Sequence, residues 1–278
     1  MTTAILITGA SSGIGHATAL RLARRPEVTV FATARDPGSL TDLAQMGART
    51  LALDVTDETS MVAAVSAVEA EFDAVGALVN NAGYGEYGTI EETDLGRARR
   101  EFETNVFGLA RMTQLVLPAM RRARLGRIVN VGSMGGRIVF PAGGYYHASK
   151  YAVEAITDAL RFEVGPFGIK VVLVEPGIIR TGFGETAAST LAESNTLAGP
   201  YAPLNRAVDV QMDHSYRSRW ISAPPDAVAE VIEQALFAPK PRARYVVTPA
   251  AKVLVQTRRL LGSRVFDAYL RQQFKAGG

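Results

Sequence analysis

The chain has 278 residues, and a composition of 47% hydrophobic against 21% charged residues excludes a disordered protein. It has no cysteine and three histidines (His16, His147, His214), which excludes disulfides and thiolate chemistry and leaves no histidine-rich metal centre. The net charge of +3 is uneven: positions 240–278 carry nine Lys or Arg against Asp267 alone, so the basic character belongs to that segment. No apolar run nears the roughly 18 residues of a membrane span. Residues 1–9 lack the basic and apolar regions of a signal peptide, so a cytoplasmic location is expected.

In chain order, short apolar runs alternate with segments of helical spacing. Ala4 to Ile7 reads as a strand, Ile14 to Arg25 as a helix, and Val28 to Thr33 and Thr50 to Val55 as further strands. Asp57 to Phe72 repeats Met61, Val65 and Val68 at helical intervals, and Ala77 to Val79 is a fourth strand. A long helix is expected from about Leu95 to Arg124, broken near Gly96 or Gly108, then a strand from Arg127 to Val131. Ala148 to Val164 reads as a helix and Lys170 to Val174 as a sixth strand, stopped by Pro176-Gly177. The stretch 182–222 has poor periodicity and is expected to be a substrate loop or lid. Pro224 to Phe237 is a helix, Arg244 to Thr248 a last strand, and Lys252 to Phe274 an amphipathic helix within an extension over 249–278. Strands apolar on both faces alternating with amphipathic helices predict one α/β domain over 1–278, a doubly wound parallel sheet. Such sheets bind ligands at the carboxyl ends of their strands.

The unusual residues fall at those ends. Thr8-Gly9-Ala10-Ser11-Ser12-Gly13-Ile14-Gly15 joins the first strand to the first helix. Glycines there let backbone approach a pyrophosphate, and the helix amino terminus offers it free N–H groups. After the second strand comes Ala34-Arg35, where an NAD-binding sheet often has a carboxylate for the ribose hydroxyl. A guanidinium instead grips a 2′-phosphate, so Arg35 predicts NADP(H) over NAD(H), with Asp36 one place later as the opposing signal. Tyr146 and Lys150 are four apart on one helical face. A free phenol has a pKa of about 10, and a neighbouring ammonium is expected to lower it, making Tyr146 a proton donor and acceptor for an alcohol or carbonyl. Ser133 follows the fifth strand as a hydrogen-bond donor to a substrate oxygen, and Asn105 sits awkwardly inside a helix.

Together, Thr8-Gly9-x-x-x-Gly13-x-Gly15, Asn80-Asn81-Ala82-Gly83, Asn105, Ser133, Tyr146-x-x-x-Lys150 and Pro176-Gly177 resemble the short-chain dehydrogenase/reductase family from about residue 4 to 181. Thr33 to Asp36, Asn80 to Gly85 and Ser133 to Gly136 are similar to its hydroxysteroid and retinol dehydrogenase branch. The resemblance implies a Rossmann fold and hydride transfer between a nicotinamide and an alcohol or carbonyl. It implies Tyr146 as general acid/base, Lys150 tuning it and holding the nicotinamide ribose, Ser133 orienting the substrate oxygen, and Asn105 completing a water-mediated proton relay. It further implies cofactor contacts from Thr8, Gly9, Ser11, Ser12, Gly13, Ile14, Gly15, Arg35, Asp54, Val55, Asn81, Ala82, Gly83, Pro176, Gly177 and Thr181, and a homodimer or homotetramer through the helices near 100–124 and 148–166.

Leu191, Leu197, Tyr201, Leu204, Met212, Tyr216 and Trp220 in the lid stretch predict a hydrophobic alcohol or ketone substrate, a steroid or retinoid first. A small or acyl-thioester ketone, or a non-catalytic NADP(H) sensor, are the alternatives. No metal and no nucleic-acid partner are expected. The carboxyl-terminal helix is expected to cover the cleft or a subunit partner, with membrane-surface attachment the lesser reading.

Overall fold

The structure, a computed structural model, describes residues 3–193 and 199–274. Its frame is a seven-stranded parallel sheet built from β1 (Thr3–Ile7), β2 (Val28–Ala34), β3 (Arg49–Ala52), β4 (Ala77–Asn80), β5 (Gly126–Val131), β6 (Ile169–Glu175) and β9 (Arg244–Val246). The order across it is β3-β2-β1-β4-β5-β6-β9. Winding runs outward to one side as far as β3 and to the other from β4 onward, so the switch point lies between β1 and β4.

Strand alternation explains why both faces are covered. On β1, Ile5 and Ile7 join Val79, Val129 and Val172 beneath α1 (Gly13–Leu22) and α9 (Pro225–Phe237). Ala4 and Leu6 point the other way, with Leu78, Ile128 and Val171, against α3 (Glu58–Phe72), α5 (Leu109–Ala123) and α6 (Gly144–Val164). A short α2 (Thr41–Gln45), which the spacing does not predict, seals the edge near β2 with the buried Leu43.

Three elements differ from expectation, each where an active-site wall is made. The 95–124 stretch is not broken at a glycine: α4 (Leu95–Phe102) runs through a π-helical segment, Glu103–Gly108, into α5. The wider π turn answers the awkwardness of Asn105, because it shifts the backbone hydrogen-bond pattern there and turns that side chain into the buried interior. α6 begins four residues earlier than its periodicity suggests, so Tyr145 and Tyr146 are already helical.

The 182–222 stretch is not a loop but two helices, α7 (Phe183–Glu193) and α8 (Ala202–Arg217), set between two short strands, β7 (Ile178–Ile179) and β8 (Ser222–Ala223). Its aromatic and apolar residues mostly serve packing. Leu191, Leu204 and Met212 gather with Val208 and Ala142, Tyr201 donates to Glu91, and Trp220 is 94% exposed. Leu197 lies outside the described residues. Finally, α10 (Pro249–Gln273) is bent at Gly262, whose φ of 72° no side chain favours. Its Ala251, Val255 and Phe266 pack on Met134 and Ile138, covering the loop after β5, while Val253, Leu260 and Leu261 face outward. Among the described residues no helix is long and apolar enough to cross a membrane.

Candidate active site

A cavity of 1040 Å³ opens over the carboxyl ends of β1, β4 and β5. It is large for a single small ligand and suits a dinucleotide with a substrate beside it. Gly9, Ser11, Ser12, Gly13 and Ile14 form one end. Gly9 and Gly13 adopt φ of 67° and 57°, and a Cβ on Gly9 would stand 2.9 Å from the Ala82 backbone. The Ser12 hydroxyl caps none of the N–H groups of α1, which leaves that helix end to an anion. Thr8 and Gly15 stand behind the wall. Thr8 is 1% exposed, and its hydroxyl accepts from the N–H groups of Asn81 and Ala82, both at 3.0 Å, locking the two turns together. Gly15 is required because a Cβ there would lie 2.2 Å from the Gly9 carbonyl.

The middle of the cavity is bordered by Ala34, Arg35, Asp54, Val55, Asn81, Ala82 and Gly83. Arg35 is exposed and makes no ion pair among the described residues, whereas Asp36 is used up locally: it accepts from the Gly38 N–H at 2.9 Å as the cap of the following turn. Asp54 accepts from the N–H and hydroxyl of Thr56 at 2.9 and 2.7 Å. Asn81 donates to the carbonyls of Thr8 and Gly9 at 3.0 and 2.9 Å, so its amide braces the glycine turn.

Ser133, Tyr146, Lys150, Pro176, Gly177 and Thr181 converge at the far end. The Tyr146 ring is 7% exposed, stacked on Tyr87 at 5.8 Å and tilted against Phe183 at 5.3 Å. Burial pushes the Tyr146 phenol well up, and a hydrogen bond from the Ser133 hydroxyl pulls it back. The spacing predicts a pull from Lys150; the structure adds one from Ser133. Lys150 is itself buried, which brings it down to about 8 with the Glu101 carboxylate opposing, so the amine keeps most of its charge at neutral pH and gives it up just above. Lys150 Nζ donates to the Val131 carbonyl at 3.1 Å, fixing the amine beneath the cavity.

Asn105 is 2% exposed and does not border the cavity. Its amide donates to the Tyr84 carbonyl at 2.8 Å and to Ser149 Oγ at 3.0 Å, and accepts from the Tyr84 N–H at 3.1 Å. It therefore ties the segment after β4 to α6. Of the expected lid residues Tyr216 does border the cavity, whereas the motifs do not announce His147, Tyr87 or Phe183. Their signal was only position: beside Tyr146, shortly after Asn80 to Gly83, or within the 182–222 stretch.

His147 shapes the Ser133 loop. The Phe140 N–H can only donate, so His147 Nε2, at 3.0 Å, accepts; Nδ1 then carries the proton to the Gly135 carbonyl at 3.0 Å. Burial lowers His147 from 6.5 to about 4. A depressed histidine contributes stability that is complete above its unfolded value and lost as pH falls through the folded one. Denaturation midpoints of the wild type should therefore fall between pH 6.5 and 4 with one extra proton of slope, about 1.4 kcal/mol per pH unit. His147→Gln, which can keep both bonds without titrating, should flatten that window, and equal slopes would refute the assignment.

The family model described as short chain dehydrogenase matches residues 3–192, more than half of the chain. The chain belongs to the short-chain dehydrogenase/reductase family. It is similar to the uncharacterized oxidoreductase YbbO of Escherichia coli, 35% identical over 98% of this chain and 95% of that one. It is also similar to 17-beta-hydroxysteroid dehydrogenase type 1 of Homo sapiens, 36% identical over 92% of this chain and 80% of the human one. A short chain dehydrogenase/reductase from Burkholderia phymatum, solved in complex with NAD, superposes with a TM-score of 0.79 at 26% identity, covering 93% of each chain. The family binds NAD(P)(H), and the cavity carries the donor set such a molecule needs: open helix N–H groups for pyrophosphate and a fixed amine at the far end. Among the described residues no cluster could hold a metal ion.

Proposed function

We propose that this protein is an NADP(H)-dependent oxidoreductase that interconverts a hydrophobic secondary alcohol and its ketone, with Tyr146 as general acid/base. The observation that carries it is the convergence of Ser133, Tyr146 and Lys150 on one end of a cavity whose other end is an uncapped, glycine-lined helix terminus. When bound, the nicotinamide would supply or take the hydride. The chain's own work is to bind, orient and move a proton. The Ser133 and Tyr146 hydroxyls form a paired donor site for a carbonyl oxygen, and Tyr146 gives up its proton as negative charge develops there. The Ser133 hydroxyl, which accepts from the Gly135 N–H at 3.0 Å, is held in place for that task. Lys150, positioned by Val131, would restore the proton and bind the nicotinamide ribose.

Tyr87, Phe140, Phe183, Ile178 and Tyr216 around Tyr146 support a lipophilic substrate, as does the likeness to an enzyme named for hydroxysteroids. Exposed Phe107, Tyr151 and Phe162 on the π segment and α6 support assembly of two or four copies through these helices. The reading is tested with purified protein, NADPH or NADP+, and a panel of steroid, retinoid, aliphatic and acyl-thioester ketones and alcohols. Cofactor absorbance should change fastest with the lipophilic members. Tight cofactor binding with no turnover across the panel would favour the sensor instead.

Arg35 supports NADP(H) because it faces the cavity unpaired while Asp36 is turned away into its cap. Arg35→Ala should raise KM for NADPH by about 10- to 100-fold, the worth of a charge-assisted hydrogen bond of about 1.5–3 kcal/mol, and leave KM for NADH unchanged. No preference between the two before the substitution, or none lost after it, would remove the NADP(H) assignment.

A further inference from the structure

Glu101 takes no part in the reaction as described, yet it is buried in the same layer as Lys150. It lies on α4, 0% exposed, one turn before Asn105. Its Oε1 accepts from the Glu86 N–H at 2.9 Å and lies 3.5 Å from Asn105 Nδ2. Its Oε2 is buried with no hydrogen-bond partner among the described residues. A carboxylate left so would cost several kcal/mol, and holding a proton removes most of that cost.

The surroundings act on that proton in both directions, and burial outweighs the nearby cations. Lys150 and Tyr146 face it from α6, Glu86, Tyr84 and Tyr87 from the segment after β4, and Arg97 and Arg100 lie along α4. Burial and the nearby Glu86 push Glu101 up to about 8, with the Glu86 N–H bond and the Lys150 charge opposing. Lys150 itself stands at about 8. Burial moves the carboxyl up and the amine down, toward one another, which lowers the cost of passing a proton between them. Asn105 lies between them: its Nδ2 is 3.5 Å from Glu101 Oε1, and its Oδ1 and Lys150 Nζ both lie close to Gly83, 2.8 and 3.7 Å from where a Cβ there would stand. Outward, Glu86 is 5% exposed and pairs with Arg97 at 2.6 Å; the same guanidinium reaches Glu193, 65% exposed, at 3.3 Å. Glu101, Glu86 and Glu193 thus lie in order from the interior to the surface, with the Arg97 guanidinium between the last two.

We propose that Glu101 is the proton store of this site, replenishing Lys150 through water bound beside Asn105 and refilling from solvent on the Glu86 side. The inference rests on the reading of Tyr146 as proton donor. In carbonyl reduction the Tyr146 O–H bond breaks and its proton joins the substrate oxygen. The phenolate takes one proton from the Lys150 ammonium, the resulting amine takes one from the Glu101 carboxyl, and the carboxylate takes one from solvent. A bound nicotinamide would supply the hydride, and in alcohol oxidation the chain's own groups pass each proton in reverse. Glu101 acts through Lys150 and is a positioning and relay residue, not a catalytic one.

Two measurements test it. Infrared spectra of the protein without cofactor, in a Glu154→Gln background that removes another buried carboxyl, should show a carboxylic C=O band at about pH 7 that is lost by about pH 9. Adding Glu101→Gln should abolish it. In the second, kcat for ketone reduction is followed against pH in H2O and D2O for wild type, Glu101→Gln, Glu101→Asp and Tyr146→Phe. Glu101→Gln should leave KM and cofactor affinity unchanged, lower kcat at least about 10-fold, raise the solvent isotope effect and remove the limb near pH 8. Glu101→Asp should restore part of the rate. An unchanged pH profile in Glu101→Gln, with Tyr146→Phe inactive, overturns the relay alone. Wild-type turnover in Tyr146→Phe overturns the site reading, and the relay with it. Should Glu101→Gln fail to fold, the infrared band decides: no carboxyl ionising in that range ends the proposal.

Discussion

Tyr146→Phe should lower kcat by about 10²- to 10⁴-fold, the range a positioned general acid supplies, while cofactor affinity stays as in the wild type. The geometry makes this substitution unusually clean. The ring is held by stacking on Tyr87 at 5.8 Å and by Phe183 at 5.3 Å, contacts that phenylalanine keeps. Only the hydroxyl is lost, with its bond from Ser133. Losing one such bond costs about 1 kcal/mol of stability, so thermal unfolding should shift by a few degrees at most. Titrating NADPH by fluorescence separates binding from turnover. A variant that binds cofactor and reduces ketones at the wild-type rate would end the assignment.

Much of this site was legible because its residues sit where backbone geometry leaves few choices. Gly9 and Gly13 need positive φ, and Gly15 needs the absence of a Cβ, so the turn is written in residue types that little else explains. The alternating apolar strands made the parallel sheet readable, down to the position of Pro176-Gly177 at the end of β6. What stayed hidden depends on contacts between distant segments. The two helices within 182–222 lack clear periodicity because they bury on more than one side, with Leu191 and Val208 against Ala142 and Tyr216 toward the cavity. The π turn at Asn105 is set by tertiary hydrogen bonds to Tyr84 and Ser149, which no local pattern encodes. Spacing likewise places Lys150 beside Tyr146 but says nothing of how much water surrounds them. Burial pushes the phenol up and the amine down, each toward its uncharged form.

Arg244→Met is expected to be the most damaging change to stability away from the glycine turn. Arg244, on the edge strand β9, pairs with Glu154 and Asp158 of α6 and lies 3.3 Å from Glu175 at the end of β6. Glu175 is 0% exposed and Glu154 8%. Arg137, 3.2 Å from Glu175, cannot serve all three carboxyl groups. Removing one partner of a buried ion pair typically costs about 3–5 kcal/mol, and the partial exposure of Arg244 places the expectation at the lower end, about 3 kcal/mol. The pH dependence is more diagnostic than the size. Burial and the adjoining Glu175 push Glu154 up. A raised carboxyl contributes stability that is complete below its ordinary value near 4.5 and lost as pH rises through its folded value. Without the guanidinium, that value rises further and ionisation has no compensation. The variant should therefore lie close to the wild type under acid conditions and fall away steadily toward alkaline pH, as read from urea midpoints across the range. A gap that stays constant, or narrows at high pH, would show that Arg244 acts by packing alone. The consequence should reach the site, since Glu175 immediately precedes Pro176-Gly177 and Glu154 lies one turn beyond Lys150. Loosening this cluster frees both the strand end and the helix that hold the nicotinamide side of the cavity, so NADPH affinity should weaken in parallel with stability as pH rises.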